Sequence, residues 1–138
     1  MSAKKVVLVD DEEDITLYLQ TALEDSGFIA ETASSASDGL QMIRNEMPDL
    51  ICLDILMPGE SGMSLYQKVR SDNTLRGIPV LITSGLNVGK ELGDIEYRIL
   101  PDGTRLPEPD GIAEKPLTAE QFIAAVEKLI GENDDVPR

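Results

Sequence analysis

The feature that most constrains the fold is an alternation along the chain. Short apolar runs at residues 5–10 (KVVLVD), 28–33, 50–57 (LICLDILM), 79–83 (PVLIT) and, more weakly, 111–115 (GIAEK) take turns with segments of helical period. The runs KVVLV, LICL and PVLI are rich in branched apolar residues, which suits strands buried on both faces. After the first run, Ile15, Leu19, Ala22 and Leu23 recur at helical spacing, and Gly27 ends that helix. Ser35 to Asn45 carries Ala36, Leu40 and Ile43 on one helical face, and Pro48 stops it. Beyond a turn with Pro58, Gly59 and Gly62, a helix is expected to turn Met63, Tyr66 and Val69 inward. Near the end, Thr118 and Gln121 form a capping box, and Phe122, Val126, Leu129 and Ile130 share a face. Strands that alternate with helices predict a parallel sheet covered on both sides.

One stretch breaks the alternation. A crossover helix is due between the fourth and fifth strands, but Asn87 to Asp110 is rich in glycine and proline. Only Lys90 to Ile95 has a helical pattern, and YRILPDGTRLP reads as a hairpin around Pro101, Asp102 and Gly103. The expected layout is one domain over 1–131, with 87–110 an atypical insertion in place of the fourth helix, then an acidic tail over 132–138.

Bulk properties narrow the function. The chain has 138 residues, the length of one ordinary domain. Its formal charge of −14 would repel a phosphate backbone, so direct nucleic-acid binding is not expected. Charged residues interrupt every apolar run well short of a bilayer span, and MSAKKVVLVDD lacks the apolar stretch of a secretory signal. A cytoplasmic protein without membrane insertion is expected. Cys52, the single cysteine, reads as a small core residue. The chain contains no histidine, so any histidine chemistry must come from a partner.

In an open parallel sheet, ligands bind at the carboxyl ends of the strands. The first strand ends in Asp10 and Asp11, with Glu12 next; the third ends in Asp54; the fourth in Thr83 and Ser84; the fifth in Lys115. Three carboxylates, a hydroxyl and an amine would meet on one rim. Nearby carboxylates repel one another unless a cation neutralises them, and Mg²⁺ suits hard oxygen donors. A phosphoryl group passing to a carboxylate oxygen spreads charge over three equatorial oxygens. A metal, a lysine ammonium and a hydroxyl can take one oxygen each. Singly these residues say little: an Asp pair after a strand is often a helix N-cap, and a strand-end Thr is usually structural. Their common placement at successive strand ends carries the reading.

These segments resemble the response-regulator receiver family of two-component signalling, which includes the chemotaxis regulators. VVLVDDEED resembles its acidic strand end, LICLDILMPGESGM its phosphorylation strand and turn, IPVLITSG its hydroxyl-bearing strand end, and AEKPL its lysine-proline end. The resemblance implies a flavodoxin-like, doubly wound, five-stranded parallel sheet in the order 2-1-3-4-5; a receiver protein is a named example of that order. It implies that Asp54 is the phosphoacceptor. Asp11 would bind Mg²⁺ directly, Asp10 directly or through water, and the backbone carbonyl of Leu56 would add a ligand. Lys115 would contact the phosphoryl group, with a cis bond to Pro116. Thr83 would bond a phosphoryl oxygen, with small Ser84 leaving room. The donor would be a phosphohistidine on a histidine kinase or histidine phosphotransfer protein. The output would be a switched contact with a downstream protein or output domain.

Two positions depart from the family pattern. The usual aromatic switch residue, three before the lysine, is Ile112 here, and the segment before the fifth strand is the atypical one. Leu56 and Gly85 border the expected path of attacking water and cannot orient it, so slow self-dephosphorylation is expected. Haloacid-dehalogenase-like phosphatases share the Asp, metal and lysine, but they need a second acid two residues after the nucleophile, where this chain has Leu56. An enzyme acting on outside phosphoesters is therefore not expected. The alternative is a degenerate receiver serving as a phosphorylation-independent interaction module. No output-domain pattern follows Lys128 to Arg138, which leaves open a stand-alone receiver or a piece of a larger regulator.

Overall fold

The structure, a computed structural model, describes residues 3–54, 62–84, 109–114 and 117–134. The expectations for Leu56, Gly85, Lys115 and Pro116, and for a hairpin in place of the crossover helix, lie outside the described residues. Five strands form one parallel sheet: β1 (Lys5–Val9), β2 (Ile29–Ala33), β3 (Leu50–Asp54), β4 (Val80–Ser84) and β5 (Gly111–Glu114). Their order is β2-β1-β3-β4-β5, the doubly wound order expected. Four helices are described: α1 (Glu13–Asp25), α2 (Ala36–Glu46), α3 (Gly62–Ser71) and α4 (Ala119–Asp134). α4 runs on to Asp134, into the segment expected as a tail.

The two-residue period of the strands builds two cores. Val7, Val9, Ile51, Leu53, Val80 and Ile82 face one side, where Ile43 of α2 and Leu65, Tyr66 and Val69 of α3 cover them. Val6, Leu8, Leu50, Cys52 and Leu81 face the other, against Leu19 and Leu23 of α1 and Phe122, Val126, Leu129 and Ile130 of α4. The three central strands, β1, β3 and β4, thus lose both faces to helices, which is why their sequences read as continuous rather than alternating apolar residues.

The helix ends follow from local chemistry. Ser35 caps α2, its Oγ accepting from the Asp38 amide at 3.1 Å. α2 stops at Met47, which precedes Pro48 and turns to φ 45°. Gly27, at φ 91°, lets the chain reverse after α1. The Thr118–Gln121 box forms as expected, with both reciprocal bonds at 3.0 Å. The Ala119 amide donates to the Tyr18 hydroxyl at 2.8 Å, joining the start of α4 to α1.

Candidate metal and phosphoacceptor site

Register brings the strand ends level. In the ladders, Val9 lies opposite Leu53, and Asp54 lies opposite Thr83. Asp10, one residue past Val9, therefore stands beside Asp54, and Asp54 beside Thr83. All three keep the parity of Leu8, Cys52 and Leu81, so they belong to the α1/α4 face of the sheet. They are deeply buried, at 5%, 3% and 2% exposure. Among the described residues the one other buried charged side chain is Arg70. Buried acids are held at a strand end only where something compensates them.

The loop after β1 supplies a third acid. The Glu12 amide donates to Asp10 Oδ1 at 2.9 Å, and the Asp10 amide donates to the Ala33 carbonyl at 3.1 Å. The cap position of α1 falls on Glu12, not on Asp10 or Asp11, and Glu12 makes no side-chain capping bond. The Thr16 hydroxyl donates to the Glu12 carbonyl at 2.8 Å and braces this first turn. The result is a cluster in which carboxylate oxygens of Asp10, Glu12 and Asp54 lie within 4.8 Å of one another. Three hard, anionic oxygen donors at this spacing could hold a small divalent cation.

The sites expected from sequence thus divide. Asp10, Asp54 and Thr83 come together on one rim. Asp11 is half-buried beside them and is not in the cluster of three. Of Ser84 the backbone is described, opposite Glu114. Ile112 sits in β5 opposite Ile82 and is 48% exposed. Glu12 joins the cluster without having been expected there; its signal in the sequence is weak, a third acid in a run of five. Arg70, buried at the far end of the sheet, has no sequence signal.

Comparison with known proteins agrees with this geometry. The model of the response regulator receiver domain family matches residues 6–93. The alkaline phosphatase synthesis transcriptional regulatory protein PhoP of Bacillus subtilis is 34% identical over 108 residues, which are 74% of this chain and 44% of that protein. The transcriptional regulatory protein AfsQ1 of Streptomyces coelicolor is 31% identical over 102 residues, 70% of this chain and 44% of that protein. The chain therefore spans less than half the length of these relatives. Among solved structures, the receiver domain of Francisella response regulator 1452 aligns with a TM-score of 0.76 at 25% identity, covering 94% of this chain and 98% of its own. The chemotaxis response regulator CheY4 of Vibrio cholerae shares the fold with a TM-score of 0.78 at 22% identity, covering 93% of this chain and 99% of its own. Strand order, acidic rim and family match agree, and this chain belongs to the response regulator receiver domain family of two-component signalling systems.

Proposed function

We infer that Asp54 accepts a phosphoryl group from a phosphohistidine on a partner kinase or phosphotransfer protein, and that the modified domain switches its contacts with a downstream protein. The observation that carries this reading is the meeting of Asp10, Glu12 and Asp54 within 4.8 Å, with Thr83 level with Asp54. In the transfer, a carboxylate oxygen of Asp54 forms the new P–O bond as the donor's P–N bond breaks. The electron pair leaves with the imidazole, which takes up a proton.

Asp10, Asp54 and, by its position, Glu12 would hold Mg²⁺, with Asp11 and the Leu56 carbonyl as the further ligands the family pattern implies. When bound, Mg²⁺ neutralises charge on the incoming phosphoryl oxygens. The Thr83 hydroxyl, level with Asp54 in the ladder, would donate to a phosphoryl oxygen on Asp54, and Lys115 is the expected cation for another. Burial of Asp10, Asp54 and Thr83 limits water at the acceptor oxygen and strengthens each of these contacts. The domain would act as one unit over 1–131, as a phosphoacceptor rather than a catalyst of outside substrates.

The test is incubation with acetyl phosphate and Mg²⁺, read by intact mass, beside Asp54→Asn. A single phosphoryl adduct that needs Mg²⁺ and disappears in the variant is expected. Adduct-free protein that nonetheless binds Mg²⁺ would overturn the phosphoacceptor role.

A further inference from the structure

Arg70 lies in the last turn of α3, at the amino ends of β4 and β5, yet its side chain is only 6% exposed. A cation placed there for the helix dipole alone could stay in water. Instead the guanidinium is taken up on several sides. Nε donates to the Tyr66 hydroxyl at 3.2 Å, and the Tyr66 ring centroid lies 5.1 Å from Cζ. Nη1 donates to the carbonyls of Arg76 at 2.7 Å and Ile78 at 2.9 Å. Nη2 donates to Asp110 Oδ2 at 2.7 Å. That same oxygen accepts from the Val80 amide at 2.8 Å, and the Asp110 amide donates to the Val80 carbonyl at 3.0 Å. One buried cation thus joins the end of α3, the α3–β4 turn, the first residue of β4 and the residue that precedes β5.

β5 needs such an anchor. It is a four-residue edge strand with β4 as its one neighbour in the sheet, reached after a long connection. A slip of two residues would keep its side-chain alternation, so its apolar pattern does not resist that error. Two features do. A Cβ at Gly111 would lie 3.0 Å from Leu129 Cδ1 and 3.1 Å from Leu81 Cδ1, so a larger residue does not fit opposite Leu81. Asp110, one residue earlier, is held by Arg70 and Val80.

We propose that the Arg70–Asp110 pair is a register clamp for β5, and through it a positioning pair for phosphoryl transfer at the opposite end of the sheet. This rests on the phosphoacceptor reading of Asp54. The clamped register sets Ala113 opposite Thr83 and Glu114 opposite Ser84. Lys115, the cation expected at the phosphoryl group, follows Glu114 in the chain. Each residue of slip moves the end of the strand by about 3.3 Å, more than a hydrogen bond tolerates. The metal acids lie in the loop after β1 and at the end of β3, outside the clamp's reach, so the pair should act on the phosphoryl group and not on the metal.

The full chain carrying Asp110→Ala tests this, with Arg70→Met beside it and Asp110→Asn as the conservative variant that keeps an acceptor oxygen. Asp110 is 42% exposed, so its truncation leaves no sealed cavity. Phosphorylation by acetyl phosphate at saturating Mg²⁺ is expected to slow ten- to a hundredfold, on the order of the effect of a small misplacement. The Mg²⁺ dissociation constant should stay within about twofold. The Ile112 amide, which the ladder turns toward β4, should exchange faster while those of Val7 to Val9 and Ile51 to Leu53 stay protected. Asp110→Asn should recover most of the rate. A wild-type rate in Asp110→Ala would overturn the proposal, as would rate, metal affinity and protection of all strands falling together. Wild-type protein that takes no phosphoryl group would instead defeat the Asp54 reading. The clamp would then be judged on exchange alone, and unchanged β5 protection in Asp110→Ala would overturn it.

Discussion

The Glu12 amide donates to Asp10 Oδ1 at 2.9 Å, and this bond turns the chain after β1 so that the Glu12 carboxylate comes within 4.8 Å of those of Asp10 and Asp54. One side chain thus orders the loop that brings in another acid. The same oxygen that accepts this bond belongs to the carboxylate expected at the metal, so loop order and metal binding are coupled.

The first prediction concerns that cluster. Affinity at such sites follows the number of charged oxygen donors. Glu12→Gln is expected to weaken Mg²⁺ binding about tenfold, and Asp10→Asn at least as much. Mg²⁺ at about 100 times its dissociation constant should stabilise the wild-type domain by about 2.7 kcal/mol, a shift readable in the urea midpoint. Titration of the variants by calorimetry measures the affinities. Wild-type affinity in Glu12→Gln together with a large loss in Asp11→Asn would show that Asp11, not Glu12, turns to the ion.

The second concerns two helical glycines with opposite surroundings. A Cβ on Gly39 of α2 would sit 2.9 Å from both methyls of Val9 and 3.3 Å from Leu65 Cδ2. Valine is stiff at χ1 and cannot swing away. Alanine gains about 1 kcal/mol of helix propensity, but overpacking costs about 1–3 kcal/mol, so Gly39→Ala should lower stability. A Cβ on Gly131 of α4 meets nothing within 4 Å, so Gly131→Ala should raise stability by about 0.5–1 kcal/mol. Urea unfolding of both variants decides, and a stabilised Gly39→Ala would mean that α2 can lift from β1 at little cost.

Much of this architecture is legible in the order of the amino acids alone. In a parallel sheet the strand ends come level, so acids and a hydroxyl placed last in their runs must meet; Asp10, Asp54 and Thr83 do. The apolar runs at Val6–Val9, Leu50–Leu53 and Val80–Ile82 show two buried faces without reference to any partner. Glu12 is not legible as a cluster member, because its place depends on local bonds of the loop, such as that of its amide to Asp10, and on no periodicity. Arg70 is hidden for a different reason. A basic residue in the last turn of a helix is what the dipole favours in any case. Its partner Asp110 lies 40 residues away, beyond a connection whose path no periodic pattern sets.

The third prediction follows from the turn after α3. Thr74 donates to Asp72 Oδ1 through its hydroxyl at 2.7 Å and its amide at 2.8 Å, and Arg44 lies 3.6 Å from Oδ2. These bonds, that of the Thr74 hydroxyl first, hold the Asp72 carboxyl below its ordinary value of 3.8. A depressed folded value means that the stabilisation is complete above the unfolded value and is lost as pH falls through the folded one. The stability gap between wild type and Asp72→Asn should therefore be full near neutrality and should shrink as the medium is made more acidic than that ordinary value. Urea midpoints across this range test it, and a gap independent of pH would refute it.

The last prediction uses Cys52 as a reporter of the site. It lies in β3, two residues before Asp54, 2% exposed among the residues that face α1 and α4. Burial alone pushes its thiol far above the usual range, so the reactive thiolate is scarce in the folded domain. Native protein should therefore react with a thiol reagent only when β3 opens. A central strand covered on both faces opens with the whole domain, so labelling should follow the equilibrium between folded and unfolded chains. Mg²⁺ then slows labelling by mass action, about a hundredfold at 100 times its dissociation constant. In Asp10→Asn at the same concentration, with affinity at least tenfold weaker, the slowing should fall to about tenfold or less. Labelling that is fast in native protein, or indifferent to Mg²⁺ while calorimetry shows the ion bound, would mean that β3 is reached through a local opening that leaves the acidic rim intact.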